Sequence, residues 1–383
     1  MKKILAMLLA LVMVLGLAAC GAPAAEAPAA YEAAYKVAMV TDYGDITDQS
    51  FNQTTYEACK AYAEANNVEF TYYKPAGDSD AERVAMIEKA VDEGYNVIVL
   101  PGFAFAAAIA TAAPQYPDVK FIALDVSEFD LTSAGLTAET MTNVYSAVYQ
   151  EELSGYMAGY AAVKLGYTKL GFLGGMAVPA VQKFGYGFVQ GADAAAKELN
   201  ITVDMNYIYG GLFYGTADIT AVMDTWYQGG TEVVFACGGG IYTSAVDAAK
   251  KVEGAKVIGV DVDQAGVIAN YAGMSDKSLT VTSAMKGLYP TTVDTLTDVI
   301  NNGNWAKYAG KVATLGLVSG DDPTANYVQI PMESTQWSDT FTQDDYKAMV
   351  KAMFDGTIVV SGDVSAEPAV TNVNVDYQGQ IVG

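Results

Sequence analysis

Three apolar runs in this chain, KVAMVTD, VKFIALD and KVIGVDVD, reach an aspartate where a strand would end: Asp42, Asp125 and Asp261. Three others, NVIVLPG, KLGFLGG and TEVVFACGG, end on glycine, the last on Gly239. Carboxylates at such ends accept hydrogen bonds from hydroxyl, amino or ring N–H donors, and glycines let the backbone approach a ligand closely. Phe51 and Asn52 follow Asp42 after a short loop and would set a flat apolar face beside an amide. Taken alone, Phe51 would be a core residue, but its place after a strand-end Asp and before Asn52 favours the site. Asp261 is the site candidate, and Asp263 reads as a turn or cap residue, a common use of Asp after a strand. Asp45 and Asp48 read as loop caps. The acids of DYGDITD stand at relative positions 1, 4 and 7, unlike a calcium loop, which starts 1, 3, 5. The segment SDAE (79–82) reads as a capping box opening a helix.

Composition removes whole classes of chemistry. The 383 residues contain no histidine, which excludes Ser-His-Asp and Cys-His nucleophile pairs and His-ligated metals. The formal charge is -23, with Arg83 the single arginine, so neither a nucleic-acid surface nor bidentate clamps on an anionic ligand are expected. An apolar share of 52% is ample for a buried core. Cys59 and Cys237 fall in segments that look like packed helix and strand, so they are expected as free buried thiols.

The elements that must position these residues alternate. From Lys36, short Val/Ile/Leu-rich runs interleave with amphipathic helical stretches. A second such series begins near residue 169. Runs without polar alternation suit parallel strands covered on both faces, so two series predict an α/β chain with two doubly wound parallel-sheet lobes. Ahead of them, Lys2 and Lys3 precede ILAMLLALVMVLGLAA, the pattern of a secretory signal over residues 1–20. Its ending, Leu17-Ala18-Ala19-Cys20-Gly21, resembles a bacterial lipobox, which would make Cys20 the lipidated first residue of the mature chain. Residues 21–34, rich in Ala, Pro and Glu, read as a flexible tether.

VTDYGDITDQSFNQ (40–53), GFLGGMAVPAVQKFGYGFVQG (171–191), VVFACGGG (233–240), VIGVDVDQ (257–264) and TSAMKG (282–287) occur in that order. With the lipobox they resemble the basic membrane protein family of lipoproteins, purine-nucleoside-binding subunits of ABC importers with the type I periplasmic-binding-protein fold. The resemblance implies a purine base held between two aromatics, with carboxylates and a lysine on the base edge and ribose. Carried onto this chain, Phe51 matches one stacking ring and Asn52 and Asp42 polar contacts at the base. Asp125 and Asp261 match the acids after two strands, the latter assigned to ribose hydroxyls, and Gly239 lies in the Gly-rich strand end. Lys286, otherwise a surface lysine on base rates, matches the lysine of the last block. Phe213 of GGLFYG is the second ring, with Tyr214 as the alternative. The acidic residue usual after that aromatic is replaced by GTAD, and CGGGIY departs from the small polar residues the family has there.

The expected division is residues 36–143 and 284–318 for lobe 1 and 144–283 and 319–383 for lobe 2, hinged at the crossings. The implied function is not enzymatic and needs no cofactor or metal. A lipid-anchored protein facing outside the cytoplasm would hand inosine, guanosine or adenosine to an ABC permease, attached to the membrane through Cys20. The alternatives are a sugar-binding lipoprotein of the same fold and, on a faint similarity of TDYGDITD to calcium-dependent nucleoside hydrolases, a metal-dependent hydrolase. The segment beyond residue 320 carries no functional reading.

Overall fold

A computed structural model describes residues 35–137 and 140–382. The signal segment, Cys20 and the tether lie outside the described residues. No helix among the described residues is long and apolar enough to cross a membrane.

The first series forms β1 (Lys36–Val40), α1 (Phe51–Asn66), β2 (Glu69–Tyr73), α2 (Asp80–Asp92), β3 (Val97–Pro101), α3 (Ala106–Ala112), β4 (Lys120–Leu124), α4 (Glu128–Ser133) and β5 (Val144–Tyr149). The second forms α5 (Glu151–Lys164), β6 (Lys169–Gly174), α6 (Pro179–Leu199), β7 (Val203–Tyr209), α7 (Ala217–Gln228) and β8 (Val233–Cys237). It continues through α8 (Tyr242–Ala249), β9 (Lys256–Asp261), α9 (Ala265–Ala272) and β10 (Thr280–Lys286). After these come α10 (Leu288–Leu296), α11 (Trp305–Tyr308), β11 (Lys311–Leu315), β12 (Val328–Gln329), α12 (Gln343–Phe354) and β13 (Val373–Gln380). The strands build two sheets, ordered β11-β5-β4-β3-β1-β2 and β12-β10-β9-β8-β6-β7-β13. All neighbours run parallel except β12 beside β10.

The unbroken runs VIVLP and VVFAC lie at sheet centres and are buried at every position, as a sheet covered on both faces requires. Alternation sorts their neighbours. In the first lobe Ala38, Val40, Ile98 and Leu100 pack against α2, α3 and α4, through Ile87, Ile109 and Leu131. Val37, Met39, Val97 and Val99, equally buried, turn to the opposite face. In the second lobe Leu173, Val234 and Ala236 meet Ile219, Met223 and Ile268 of α7 and α9. Phe235 turns the other way, under Phe184 and Phe188 of α6 at ring-centroid distances of 6.1 and 5.3 Å.

The expected division needs correction at the strands. β5, expected at the start of lobe 2, pairs with β4 and β11 in the first sheet. Its run VYSAVY supplies a strand between two partners, and the chain leaves that sheet only after Tyr149. Residues 284–286, expected in lobe 1, complete β10 of the second sheet. The stretch beyond residue 320 supplies that sheet with β12 and β13. The Asp193 carboxylate of α6 ties this stretch down, accepting from the Thr371 and Asn372 N–H groups at 2.8 and 2.6 Å.

Helices α5 and α6 pack backbone to backbone. A Cβ on Gly155, Gly159, Gly187 or Gly191 would collide with a carbonyl oxygen of the facing helix, of Phe184, Phe188, Glu152 and Tyr156 respectively. Each pair is spaced four residues apart, so it lies on one helix face. Gly187→Ala therefore sets two effects against each other. Helix propensity favours Ala by about 0.8–1 kcal/mol, while overpacking a rigid contact costs about 1–3 kcal/mol or more. Since no rotamer relieves a Cβ clash with backbone, net destabilisation is expected in urea unfolding; a stabilised variant would refute the close approach.

Candidate functional site

A cavity of about 440 Å³ lies between the lobes at the carboxyl ends of the strands. The first lobe lines it with Asp42, Phe51, Asn52 and Asp125, the second with Phe213, Gly239, Asp261 and Lys286. All eight candidates from the sequence thus reach one space. The topology explains why: parallel strands present their carboxyl ends on one edge, and the two edges face each other.

Asp42 leaves β1 and accepts from the Tyr43 and Gly44 N–H groups at 2.6 and 2.7 Å. Burial raises its pKa, and those N–H groups oppose the rise. Asn52 sits against Gly44, where a Cβ would strike its amide nitrogen. Its Oδ1 is buried without a hydrogen-bond partner, an acceptor suited to a donor on a ligand. Asp48 caps α1, accepting from the N–H groups of Ser50, Asn52 and Gln53 at 2.9, 2.9 and 3.1 Å. Asp263 accepts from the Ala265 N–H at 3.1 Å, so it shapes the turn.

Asp125 and Asp261 both adopt left-handed backbone, with φ of 62° and 66°. That conformation is costly for a residue with a side chain and recurs at binding sites, where neighbours enforce it. It turns both carboxylates toward Lys286. The lysine ammonium pairs with Asp125, stands 3.5 Å from Asp261 and 4.0 Å from Glu151, and lies 4.7 Å from the centre of the Phe51 ring. Burial alone would lower the Lys286 pKa, but Asp125, Asp261 and Glu151 outweigh it and hold the ammonium charged. Burial raises Asp125, and Lys286 partly offsets the rise.

Glu151 is the member of this cluster that sequence reasoning passed over. It opens α5, is 1% exposed, and its Oε2 has no hydrogen-bond partner, with the Lys183 ammonium 3.6 Å away. Burial, then the Asp125 charge, push it up to about 8. A signal was present: EELSGYMAGYAAVK is apolar or small on every side after its two acids, and such a helix is buried all round. Phe103 was also missed; its ring lies 6.4 Å from that of Phe213, tilted by 54°. Phe213 itself rests against Gly175 and Gly238, which leave no room for a Cβ. The alternative ring, Tyr214, is 54% exposed. Among the hydrogen bonds that join the lobes beside the cavity, Ser50 Oγ donates to Asp261 Oδ2 at 2.6 Å, and Gln264 Nε2 to the Gln49 carbonyl at 3.2 Å. Cys237, at the cavity wall, and Cys59 are both free and buried.

The family pattern described as Bmp, ABC transporter substrate-binding protein PnrA-like, matches residues 35–356. The chain belongs to the Bmp family. It is 28% identical over 299 residues to the ABC transporter nucleoside-binding protein BmpA of Lactococcus lactis, covering 74% of this chain and 80% of that one. It is 29% identical over 233 residues to basic membrane protein A of Borreliella burgdorferi, covering 60% and 64%. An uncharacterized lipoprotein of Pyrococcus furiosus is 26% identical, covering 82% and 77%. Among solved structures, an ABC transporter solute-binding protein from Aeropyrum pernix superposes with a TM-score of 0.65 at 21% identity, covering 85% of this chain and 87% of that one. This Bmp chain therefore has the periplasmic-binding-protein fold and is an ABC transporter substrate-binding protein, a class that is not enzymatic.

Two outcomes follow for this Bmp chain. Lys286→Met strips the counter-charge from buried carboxylates, and a loss of about 3–5 kcal/mol is expected by denaturant titration at neutral pH. The loss shrinks in acid as the carboxylates protonate. Glu151 sets a slope of opposite sense to an ordinary salt-bridged acid. Its folded-state value lies above the unfolded 4.5, so its contribution is full below 4.5 and is lost as pH rises through about 8. Glu151→Gln is expected to flatten stability over that window; an unchanged slope would place the titration elsewhere.

Proposed function

We propose that this ABC substrate-binding protein is a lipid-anchored, extracytoplasmic receptor that closes two lobes over a purine nucleoside and delivers it to an ABC permease. The observation that carries the reading is a single cavity pairing aromatic rings from both lobes with the carboxylates of Asp42, Asp125 and Asp261. A purine face on an aromatic contributes about 1–3 kcal/mol. Carboxylates accepting a ribose diol discriminate against a bare base, which would leave them unpaired. Lys286, fixed among acids, supplies a donor without inviting a phosphate, since the surrounding charge is negative.

The name of the Lactococcus lactis relative supports a nucleoside ligand, and the lipoprotein name of the Pyrococcus furiosus relative supports an anchor at Cys20. Opening is a hinge motion about the crossings, in which the Ser50–Asp261 and Gln264–Gln49 bonds break.

Thermal unfolding of residues 35–383 with inosine, guanosine, adenosine, cytidine, hypoxanthine, ribose and galactose tests this. A ligand at about 100 times its Kd adds about 2.7 kcal/mol. A midpoint shift with purine nucleosides, absent with base or ribose alone, is expected; a shift with sugars only would keep the fold and overturn the ligand. Asp261→Asn is expected to cost about 1.5–3 kcal/mol of nucleoside binding, roughly ten- to a hundredfold in Kd. Unchanged affinity would remove Asp261 from the site.

A further inference from the structure

The stretch that ends β13 lies beyond the residues matched by the family pattern, which stops at 356. It reaches the site nevertheless. β13 adds in parallel to β7, with Val373 opposite Val203 and Tyr377 opposite Tyr207. The register then shifts at Gly379, whose φ is 76°, and pairing resumes with Gln380 opposite Tyr209. Past the strand, the Ile381 N–H donates to the Tyr209 carbonyl at 2.9 Å and the Val382 N–H to the Gly210 carbonyl at 3.1 Å. On the opposite side, the Gly210 and Gly211 N–H groups donate to the Gly174 and Gly175 carbonyls at 2.7 and 2.9 Å. Tyr209–Gly211 is thus clamped between the end of β6 and residues 381–382. Gly211 has φ of 86°, and a Cβ there would strike the Val382 carbonyl oxygen. Phe213 follows two residues later, and its carbonyl accepts from the Gly240 N–H at 2.9 Å.

We infer that residues 380–382 are a positioning element of the ligand site: they hold the GGLFYG loop from outside and so fix where the Phe213 ring stands in the cavity. The inference rests on the binding reading above for its ligand, but not for its geometry. A short loop with three glycines has little stiffness of its own, so the orientation of Phe213 is borrowed from its two flanking strands. Asp193, Gln190 and Trp226 moor the approach: Gln190 bonds the Ser361 carbonyl at 2.9 Å and the Trp226 indole N–H donates to Gln378 at 3.2 Å.

The test is Val382→Pro in the full chain, which deletes one donor and substitutes no cavity side chain. Amide exchange at Gly210, Gly211 and Gly240 is expected to quicken, and inosine or guanosine to bind about tenfold more weakly through lost pre-organisation. In a Phe213→Ala background the same substitution is expected to cost almost no affinity, while exchange quickens as before. Unchanged exchange overturns the clamp. Quickened exchange with the affinity loss undiminished in Phe213→Ala overturns the positioning role. If the parent chain binds no purine nucleoside, the ligand reading fails, and exchange alone, which needs no ligand, decides the clamp. Should Val382→Pro not fold, Gly211→Ala breaks the same contact from the loop side and is judged by the same two readouts.

Discussion

One buried lysine organises this molecule. Lys286 ends β10 of the second sheet, and its partners come from other elements: Asp125 follows β4 of the first sheet, Asp261 ends β9, and Glu151 opens α5. Removing so many charges from water is costly unless each finds a partner, and the Lys286–Asp125 pair is the part of the cluster that joins the two sheets. The same cost makes the cluster responsive. Burial raises the pKa values of Asp125 and Glu151, so their protonation depends on how fully water is kept from them.

Around this cluster, precision comes from backbone contact more than from side-chain bulk. Four glycines bring α5 and α6 together, placing Glu151 and Lys183 on the same wall of the cavity. Left-handed turns at Asp125 and Asp261 aim their carboxylates at the ammonium. Glycines 175 and 238 make the seat for Phe213. A rigid frame of parallel strands beneath these turns is what allows a small, strained set of residues to persist. Polar bonds cross between the lobes beside the cavity, from Ser50 to Asp261 and from Gln264 to the Gln49 carbonyl.

Much of this was legible in the residues. The absence of histidine and the negative charge removed whole classes of chemistry, and the alternation of Val/Ile/Leu runs with helical stretches determined an α/β, two-lobed protein, because those features follow from local chemistry and period. Strand-end aspartates were recognisable because a parallel sheet must present its carboxyl ends together. What tertiary structure alone decided was which groups share low-dielectric space. Glu151 looks like an ordinary acid opening a helix until that helix is buried, and β5 belongs to one lobe or the other only by the partners it finds. The last strand carries no chemical signature at all; its place beside β7, and through it the support of the Phe213 loop, is set by hydrogen bonds between segments some 170 residues apart. Backbone pairing is indifferent to side-chain type, so such partners become visible only when the chain is folded.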